Sequence, residues 1–265
     1  MKSKCVLVIA GSDSSAGAGM QADLKTFSAF NVYTATALTA LTAQNTLGVH
    51  KVFNIPKKFI ENQIEVITKD LDIAFVKIGM LSTISIAKTI NYCLERYLPK
   101  ASIILDPVMI AKGGHPLLEK SAIKYLKNNL LLKSFLITPN LLEAELILGH
   151  PIKNLAEMEK SLEKFAELGF ANVLLKGGHL FIEKEKVTDF LYQKGKVYKF
   201  SSKRIKTKNT HGTGCSLASA VTANLFLGKS LKESVKLGRN FVNKGIKKSF
   251  RIGNGHNPIN HFIKN

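Results

Sequence analysis

The chain has 265 residues, of which 45% are hydrophobic and 22% are charged, and its formal net charge is +19. These values are ordinary for a globular protein with a large core, built as one α/β domain or as two small ones. No run of 18 or more apolar residues is present, so the sequence predicts no transmembrane helix and no membrane partner. The apolar run after Lys4 is too short for a secretory signal peptide, and we expect a cytoplasmic protein.

The positive charge does not have the distribution of a nucleic-acid-binding protein. Only four of the 38 basic residues are arginine, the usual reader of base edges and phosphates, and the lysines are spread over the whole length. No zinc finger, aromatic RNA-binding box or basic-region pattern is present. The sequence therefore predicts no nucleic-acid partner, while the charge still suits a small anionic substrate.

Three cysteines stand at wide spacings without a CxxC pair. This number and spacing favour neither a disulfide framework nor a zinc site. Cys5 lies in a β-like run and Cys93 in a helical one, so both are predicted to be core residues. Cys215 alone has a glycine-rich context, "NTHGTGC".

Short β-branched runs alternate with longer amphipathic runs along the chain, which predicts an α/β fold with a mostly parallel sheet covered by helices. The predicted strands are 4–10, 32–38, 73–78, 102–106, 134–138 and 172–176, followed by a hairpin of 186–192 and 196–200. The predicted helices are 17–30, 57–70, 83–97, 119–130, 140–148, 155–168, 214–227 and 230–248. No linker or repeat divides the chain, so residues 1–265 are predicted to form a single domain.

Two glycine motifs resemble nucleotide-binding signatures without their context. Residues 223–230 fit a permissive P-loop pattern, but they end a predicted helix, where a true P-loop begins one. Residues 17–22 read GxGxxA after a strand, but no acidic residue occurs in 32–60 to bind a ribose. Neither motif predicts a dinucleotide site.

The segment Gly212-Thr213-Gly214 stands just before a predicted helix. Glycines let successive backbone N–H groups turn toward one anion, and the positive end of the helix dipole adds to the attraction. A simpler alternative is a loop in which Thr213 or Ser216 caps the helix. The two glycines favour the anion site.

Charged residues follow three of the predicted strands. Asp106 ends a strand in "LDPVM", and Glu143 lies one turn into the helix that follows Asn140; both suit Mg²⁺, which needs only one or two carboxylates besides substrate phosphates. A capping box between Asn140 and Glu143 is an equally good interpretation of Glu143. Lys176 ends a buried strand, where a lysine is costly unless an anion is nearby.

Two histidines border the glycine motifs. His179 and His211 have the chemistry of general bases, but a histidine beside glycines is more often a hydrogen-bonding loop residue, and we predict that role for both.

These motifs together resemble the hydroxymethylpyrimidine/phosphomethylpyrimidine kinases of thiamine biosynthesis, in the ribokinase-like superfamily. The resemblance spans nearly the whole chain and is carried by "AGSDSSAGAGMQADLKTF" (10–27), "TALTAQNT" (39–46), "KIGML" (77–81), "DPVM" (106–109), "TPNLLEAE" (138–145), "LLKGGH" (174–179) and "KNTHGTGCSLASA" (208–220). It implies a three-layer sandwich with helices on both faces of the sheet. It also implies a transferase that binds ATP and magnesium, phosphorylates a pyrimidine hydroxymethyl group and then the monophosphate, and forms a homodimer.

The resemblance assigns a role to each matching residue. Gln44 matches the residue that hydrogen-bonds the pyrimidine, and the substrate pocket is completed by Gly11, Met80, Val108 and the nearby Asp23. The metal and phosphate region matches Asp106, Glu143 and Lys176. The anion hole and the active-site cysteine match Gly212, Thr213, Gly214 and Cys215.

Three questions stay open at this point. A pyridoxal kinase of the same architecture is the alternative activity, although Gln44 and Met80 favour the pyrimidine. Cys215 stands where sugar kinases carry an aspartate base; a thiol beside a helix N-terminus is expected to have a lowered pKa and to accept a proton, or else it only positions the hydroxyl. The segment 111–120 departs from the family pattern at Gly114, His115 and Pro116, which leaves Lys112 and a substrate flap undecided.

Overall fold

A mostly parallel sheet forms the centre of the protein. In the computed structural model, which describes residues 3–109, 118–178 and 184–263, the sheet has nine strands. They are β1 (Lys4–Asp13), β2 (Thr34–Asn45), β3 (Gly48–Asn54), β4 (Asp72–Ile78), β5 (Ser102–Leu105), β6 (Leu136–Ile137), β7 (Asn172–Leu175), β8 (Lys186–Gln193) and β9 (Lys196–Lys203). Their order is β3-β2-β1-β4-β5-β6-β7-β8-β9, parallel from β2 to β7 and antiparallel at both edges.

Helices cover both faces of this sheet. They are α1 (Gly19–Ala29), α2 (Lys57–Asp70), α3 (Ile84–Tyr97), α4 (Lys120–Leu126) with a π-helical turn (Lys127–Leu131), α5 (Leu141–Leu148), α6 (Leu155–Glu167), α7 (Thr213–Phe226) and α8 (Leu231–Lys247). In the described ranges no helix is long and apolar enough to cross a membrane.

Strand β1 supplies both hydrophobic layers, because successive side chains of a strand point to opposite faces. Leu7 and Ile9 pack with α2 to α6, whereas Val6 and Val8 pack with α1 and α7 on the other side. Helix α8 joins α7 in a third cluster on that second side. The result is the predicted three-layer arrangement of helices, sheet and helices.

The structure contains most of the predicted helices and strands, and it adds one strand, β3, that the sequence did not predict. Residues 48–54 pair antiparallel with the end of β2 at the sheet edge. Their side chains are exposed or half-buried throughout, so the segment lacks the apolar alternation by which a strand is recognised in sequence. Elsewhere the predicted strand 134–138 shrinks to β6, and the predicted helix 119–130 becomes α4 and the π-helical turn.

A buried ion pair joins the centre of the sheet to the helices on one face. Nζ of Lys77 in β4 lies 2.8 Å from each carboxylate oxygen of Asp23 in α1, and both side chains are completely buried. The hydroxyl of Ser219 in α7 donates to Oδ1 of Asp23 at 2.7 Å. The pair therefore fixes α1, β4 and α7 relative to one another.

We predict that Asp23→Asn lowers the free energy of unfolding by about 3–5 kcal/mol, because it leaves the buried Lys77 charge without its hydrogen-bonded counter-ion. Urea denaturation of the variant and the wild type measures this difference. The matched control is Asp23→Asn combined with Lys77→Met, which removes both charges and is expected to recover most of the loss. A single variant as stable as the wild type would contradict this account.

Candidate active site

The carboxyl ends of the parallel strands bring together residues that are far apart in sequence. Asp106 follows β5 and Lys176 follows β7, and Nζ of Lys176 donates to Oδ1 of Asp106 at 2.7 Å. The hydroxyl of Thr138, which follows β6, donates to the same oxygen at 2.8 Å. Burial opposes ionisation of Asp106, but Lys176 and Lys77 hold the pKa of its carboxyl below the usual value. Asp106 is therefore a carboxylate at neutral pH.

The glycine segment at the start of α7 lies next to this ion pair. A Cβ placed on Gly214 would lie 3.5 Å from Nζ of Lys176 and 3.6 Å from Oδ2 of Asp106. Gly212 has a φ of 80°, and a Cβ there would lie 1.9 Å from the carbonyl oxygen of Gly17. No side chain of the described residues caps this helix, so neither Thr213 nor Ser216 is the cap considered above. The first turn of α7 thus lies next to the charged groups, and no side chain of its N-cap residue occupies that space.

Cys215 lies in the first turn of α7 and is partly exposed. Burial of the sulfur raises the pKa of its thiol to about 12; the Asp23 and Asp106 charges act in the same direction, and Lys77 and the Gly19 N–H oppose them. The expected lowering of this pKa is wrong for the protein without ligands. At neutral pH the group is therefore a thiol, which can donate a hydrogen bond.

Glu143 forms the capping box that was one of its two interpretations. Its carboxylate accepts the N–H of Asn140 at 2.7 Å, and its own N–H donates to Oδ1 of Asn140 at 3.0 Å. Burial raises the pKa of Glu143 to about 7; the Asp106 charge also raises it, against the opposing effect of Lys176. Capping explains why Glu143 has this orientation. It leaves the metal role as a prediction.

The predicted substrate residues occupy the ends of β1, β2, β4 and β5. A Cβ on Gly11 would lie 3.1 Å from Sδ of Met80, so these two are in contact. Gln44 lies at the end of β2, beside the end of β1. Val108 is half-buried two residues beyond Asp106. Asp23 differs from the others, because its carboxylate is completely buried and bonded to Lys77 and Ser219, beneath the site.

Asp13 organises the loop between β1 and α1. Its carboxylate accepts the N–H groups of Ser15, Gly17 and Ala18, and Nε2 of His211 lies 2.8 Å from its Oδ2. Burial opposes ionisation, but the hydrogen bonds from His211 and Ser15 lower the pKa of Asp13 to about 2. The prediction that His211 is a hydrogen-bonding loop residue is confirmed.

Three residues of this region were missed from the sequence. Asp13 ends β1 and Thr138 follows β6, and an isolated sequence gives no sign that they bond His211 and Asp106. Lys77 carried a usable signal, because "IAFVKIG" places a lysine inside an apolar strand, and such a charge requires a buried counter-ion. His179, Lys112, Gly114, His115 and Pro116 lie outside the described residues.

A family model described as phosphomethylpyrimidine kinase matches residues 13–260. The chain belongs to this family. It is 42% identical over 264 residues to the hydroxymethylpyrimidine/phosphomethylpyrimidine kinase of Haemophilus influenzae, covering 98% of this chain and 97% of that protein. It is also 40% identical to a thiamine biosynthesis bifunctional protein of Geobacter sulfurreducens; that match covers 97% of this chain but only 52% of the longer relative.

Solved structures confirm the predicted ribokinase-like fold. The phosphomethylpyrimidine kinase of Clostridium difficile superposes with a TM-score of 0.81 at 41% identity, covering 92% of this chain and 100% of that one. An ADP complex of Bacillus subtilis pyridoxal kinase superposes with a TM-score of 0.88 at 35% identity, covering 98% of each chain. Fold similarity alone therefore does not separate the two kinase activities.

We predict that His261 makes stability depend on pH through its contact with the start of α7. Its Nε2 lies 2.8 Å from the Ser216 hydroxyl, and burial, with the Lys25 and His211 charges, lowers the pKa of His261 to about 4. The ordinary pKa of histidine, about 6.5, applies to the unfolded chain. Neutral His261 therefore contributes its full stabilisation above pH 6.5, and this stabilisation is lost as the pH falls toward 4.

Urea denaturation at pH 7 and pH 5 tests this. The wild type is expected to lose about 1–2 kcal/mol more between these values than His261→Gln, whose amide retains a polar contact without titrating. Equal losses in the two proteins would show that His261 does not titrate in this way.

Proposed function

We propose that the protein is an ATP-dependent kinase that phosphorylates 4-amino-5-hydroxymethyl-2-methylpyrimidine and then its monophosphate to the diphosphate, in thiamine diphosphate biosynthesis. The observation that carries this proposal is the Lys176–Asp106 pair facing the uncapped N-terminus of α7 through Gly214. Membership of the phosphomethylpyrimidine kinase family supports it, as do the names of the full-length relatives.

Phosphoryl transfer requires alignment and charge neutralisation more than covalent help. In our proposal Lys176 and the backbone N–H groups of Gly212, Thr213, Gly214 and Cys215 share the charge that develops on the transferred group. The phosphate of ATP would then replace the Asp106 carboxylate as the partner of Lys176. Gly214 contributes by having no side chain in the space next to Lys176.

Asp106 and Glu143 suit a magnesium ion bound together with ATP. The described residues contain no cluster of three His, Cys, Asp or Glu side chains that would cage a metal. Mg²⁺ needs no such cage, because it keeps several waters and binds one or two carboxylates besides the phosphates. Bound there, the ion would neutralise phosphate charge. Asp106 is ionised in the free protein, and a nearby cation would favour the same state of Glu143.

On the substrate side, Gln44 binds the pyrimidine edge, and Gly11, Met80 and Val108 line the pocket. Asp23 supports this region from beneath through Lys77. Cys215 holds the reacting hydroxyl by a hydrogen bond, since its raised pKa keeps it a thiol. In a loose transition state the hydroxyl proton leaves late, so a strong base is not needed.

A pyridoxal kinase is the second candidate, favoured by the close superposition on pyridoxal kinases of Bacillus subtilis and Staphylococcus aureus. The sequence relatives and the Gln44 amide, which suits an aminopyrimidine edge, favour the first.

We also propose a homodimer in the cytoplasm. At the β2–β3 edge three large apolar side chains are 41–64% exposed: Leu41, Leu47 and Phe53. A second copy of the chain packed against this edge would remove them from water. The three free cysteines agree with a reducing compartment.

The function is tested by incubating the protein with Mg-ATP and either hydroxymethylpyrimidine or pyridoxal, and by following products by mass spectrometry. We expect kcat/KM to favour the pyrimidine, the product to proceed from monophosphate to diphosphate, and excess EDTA to abolish both steps. A large preference for pyridoxal would establish the second candidate instead, and accumulation of monophosphate alone would contradict the second step.

We predict that replacements of Cys215 separate positioning from proton removal. Cys215→Ser keeps a hydroxyl that can donate a hydrogen bond, so kcat should fall by about 10-fold or less, whereas Cys215→Ala should lose more. A general base is worth about 10²–10⁴-fold, so equal losses of that size in both variants would restore the base role. Steady-state kinetics with saturating ATP measures kcat for the three proteins.

A further inference from the structure

The Gln44 side chain lies between the Thr42 side chain in β2 and the His211 side chain just before α7. Its Oε1 is 3.1 Å from the Thr42 hydroxyl, and its Nε2 is 3.3 Å from Nε2 of His211. The main chain of Gln44 is fixed, because the Ser14 hydroxyl both accepts from its N–H and donates to its carbonyl, each at 2.8 Å. Only the orientation of the terminal amide is left to its neighbours.

The proton on His211 is determined by Asp13. The Asp13 carboxylate accepts three backbone N–H groups and the Ser15 hydroxyl, so it is an ionised acceptor. Nε2 of His211, at 2.8 Å from Oδ2 of Asp13, must therefore carry a hydrogen. A protonated Nε2 has no lone pair and cannot accept a hydrogen bond from the Gln44 amide nitrogen.

The Thr42 hydroxyl has one hydrogen and two acceptors within reach, the Ser12 carbonyl oxygen at 2.9 Å and Oε1 of Gln44 at 3.1 Å. We assign the hydrogen to the shorter contact, with Ser12. The oxygen of Thr42 then offers only lone pairs to Gln44. An amide with Oε1 toward Thr42 and Nε2 toward His211 would thus place acceptor against acceptor and donor against donor. A half-turn of the amide, which leaves its shape almost unchanged, lets its nitrogen donate to Thr42 and sets its oxygen beside the one Nε2 hydrogen of His211, which it then shares with Asp13.

We propose that Thr42 and His211 are positioning residues that hold the Gln44 amide with its nitrogen toward Thr42 and its oxygen toward His211. They thereby fix the order in which the amide presents donor and acceptor to the substrate. This inference rests on the proposed activity, with Gln44 binding the pyrimidine. After the two contacts, the amide retains one N–H and one oxygen lone pair.

That remaining pair matches a ring nitrogen beside an exocyclic amino group. A glutamine amide binds such an edge with two hydrogen bonds, as it does the adenine edge in DNA. An amide locked in one orientation accepts the edge in one order only, since the reverse order opposes like groups. Pyridoxal has no amino group beside a ring nitrogen, so its affinity does not depend on the orientation of the Gln44 amide.

The experiment compares Thr42→Val, which removes the hydroxyl and keeps the branched shape, with Thr42→Ser, which keeps the hydroxyl. For hydroxymethylpyrimidine we expect Thr42→Val to raise KM about 3- to 10-fold, the value of one hydrogen bond, with little change in kcat. Thr42→Ser should retain a KM close to that of the wild type, and KM for pyridoxal should not respond to either change.

Thr42 also bonds Ser12, so the same variants are made in a Gln44→Ala background. If Thr42 acts through the amide, Thr42→Val adds no further change there; an equal increase in KM in both backgrounds would overturn the proposal. His211→Gln can donate a hydrogen bond from a similar position, whereas His211→Met cannot. We therefore expect His211→Gln to bind hydroxymethylpyrimidine more tightly than His211→Met when Gln44 is present, and equally tightly in the Gln44→Ala background. Urea denaturation identifies variants that do not fold.

The outcomes distinguish this inference from the proposed function. A wild type that does not phosphorylate hydroxymethylpyrimidine contradicts the function itself. A wild type that does so, with Thr42→Val unchanged in KM, contradicts only the role of Thr42 and His211.

Discussion

The ion pair between Lys176 and Asp106 is the interaction on which the candidate active site depends. Each residue ends or follows a buried strand, and neither charge would be tolerated there without the other. Their contact holds the ends of β5 and β7 together beneath the first turn of α7. The free protein therefore keeps a positive charge beside the proposed anion hole, neutralised by a carboxylate that suits a magnesium ion.

Much of this site can be predicted from the sequence, because some residues have a free-energy cost that only a particular environment offsets. A glycine just before a helix loses conformational entropy without benefit unless the backbone must approach something closely, and Gly212 does so at the Gly17 carbonyl. A lysine at the end of an apolar strand needs an anion, which identifies Lys176. The alternation of apolar runs likewise predicts the layers of the fold, because periodicity reflects burial on one or both faces.

What was missed depends on groups that the chain brings together only on folding. The helix dipole beside Cys215 is visible in the sequence, but the desolvation and the Asp23 and Asp106 charges that outweigh it come from α1 and β5. Asp13 has one partner that is similarly distant in sequence, since His211 lies 198 residues away. Strand β3 was missed for a different reason, because an exposed edge strand has no apolar pattern.

The close approach of Gly212 to Gly17 has a consequence for fidelity. His211, which contacts Asp13 and Gln44, is adjacent in the chain to Gly212, which begins the proposed anion hole. In the proposed function, recognition of the ring and alignment of the phosphoryl group would thus share one short peptide. A ligand that displaced His211 would also shift the amides proposed to meet the phosphate. A poorly fitting molecule would then lose turnover as well as affinity, so that one close contact would discriminate at two successive steps.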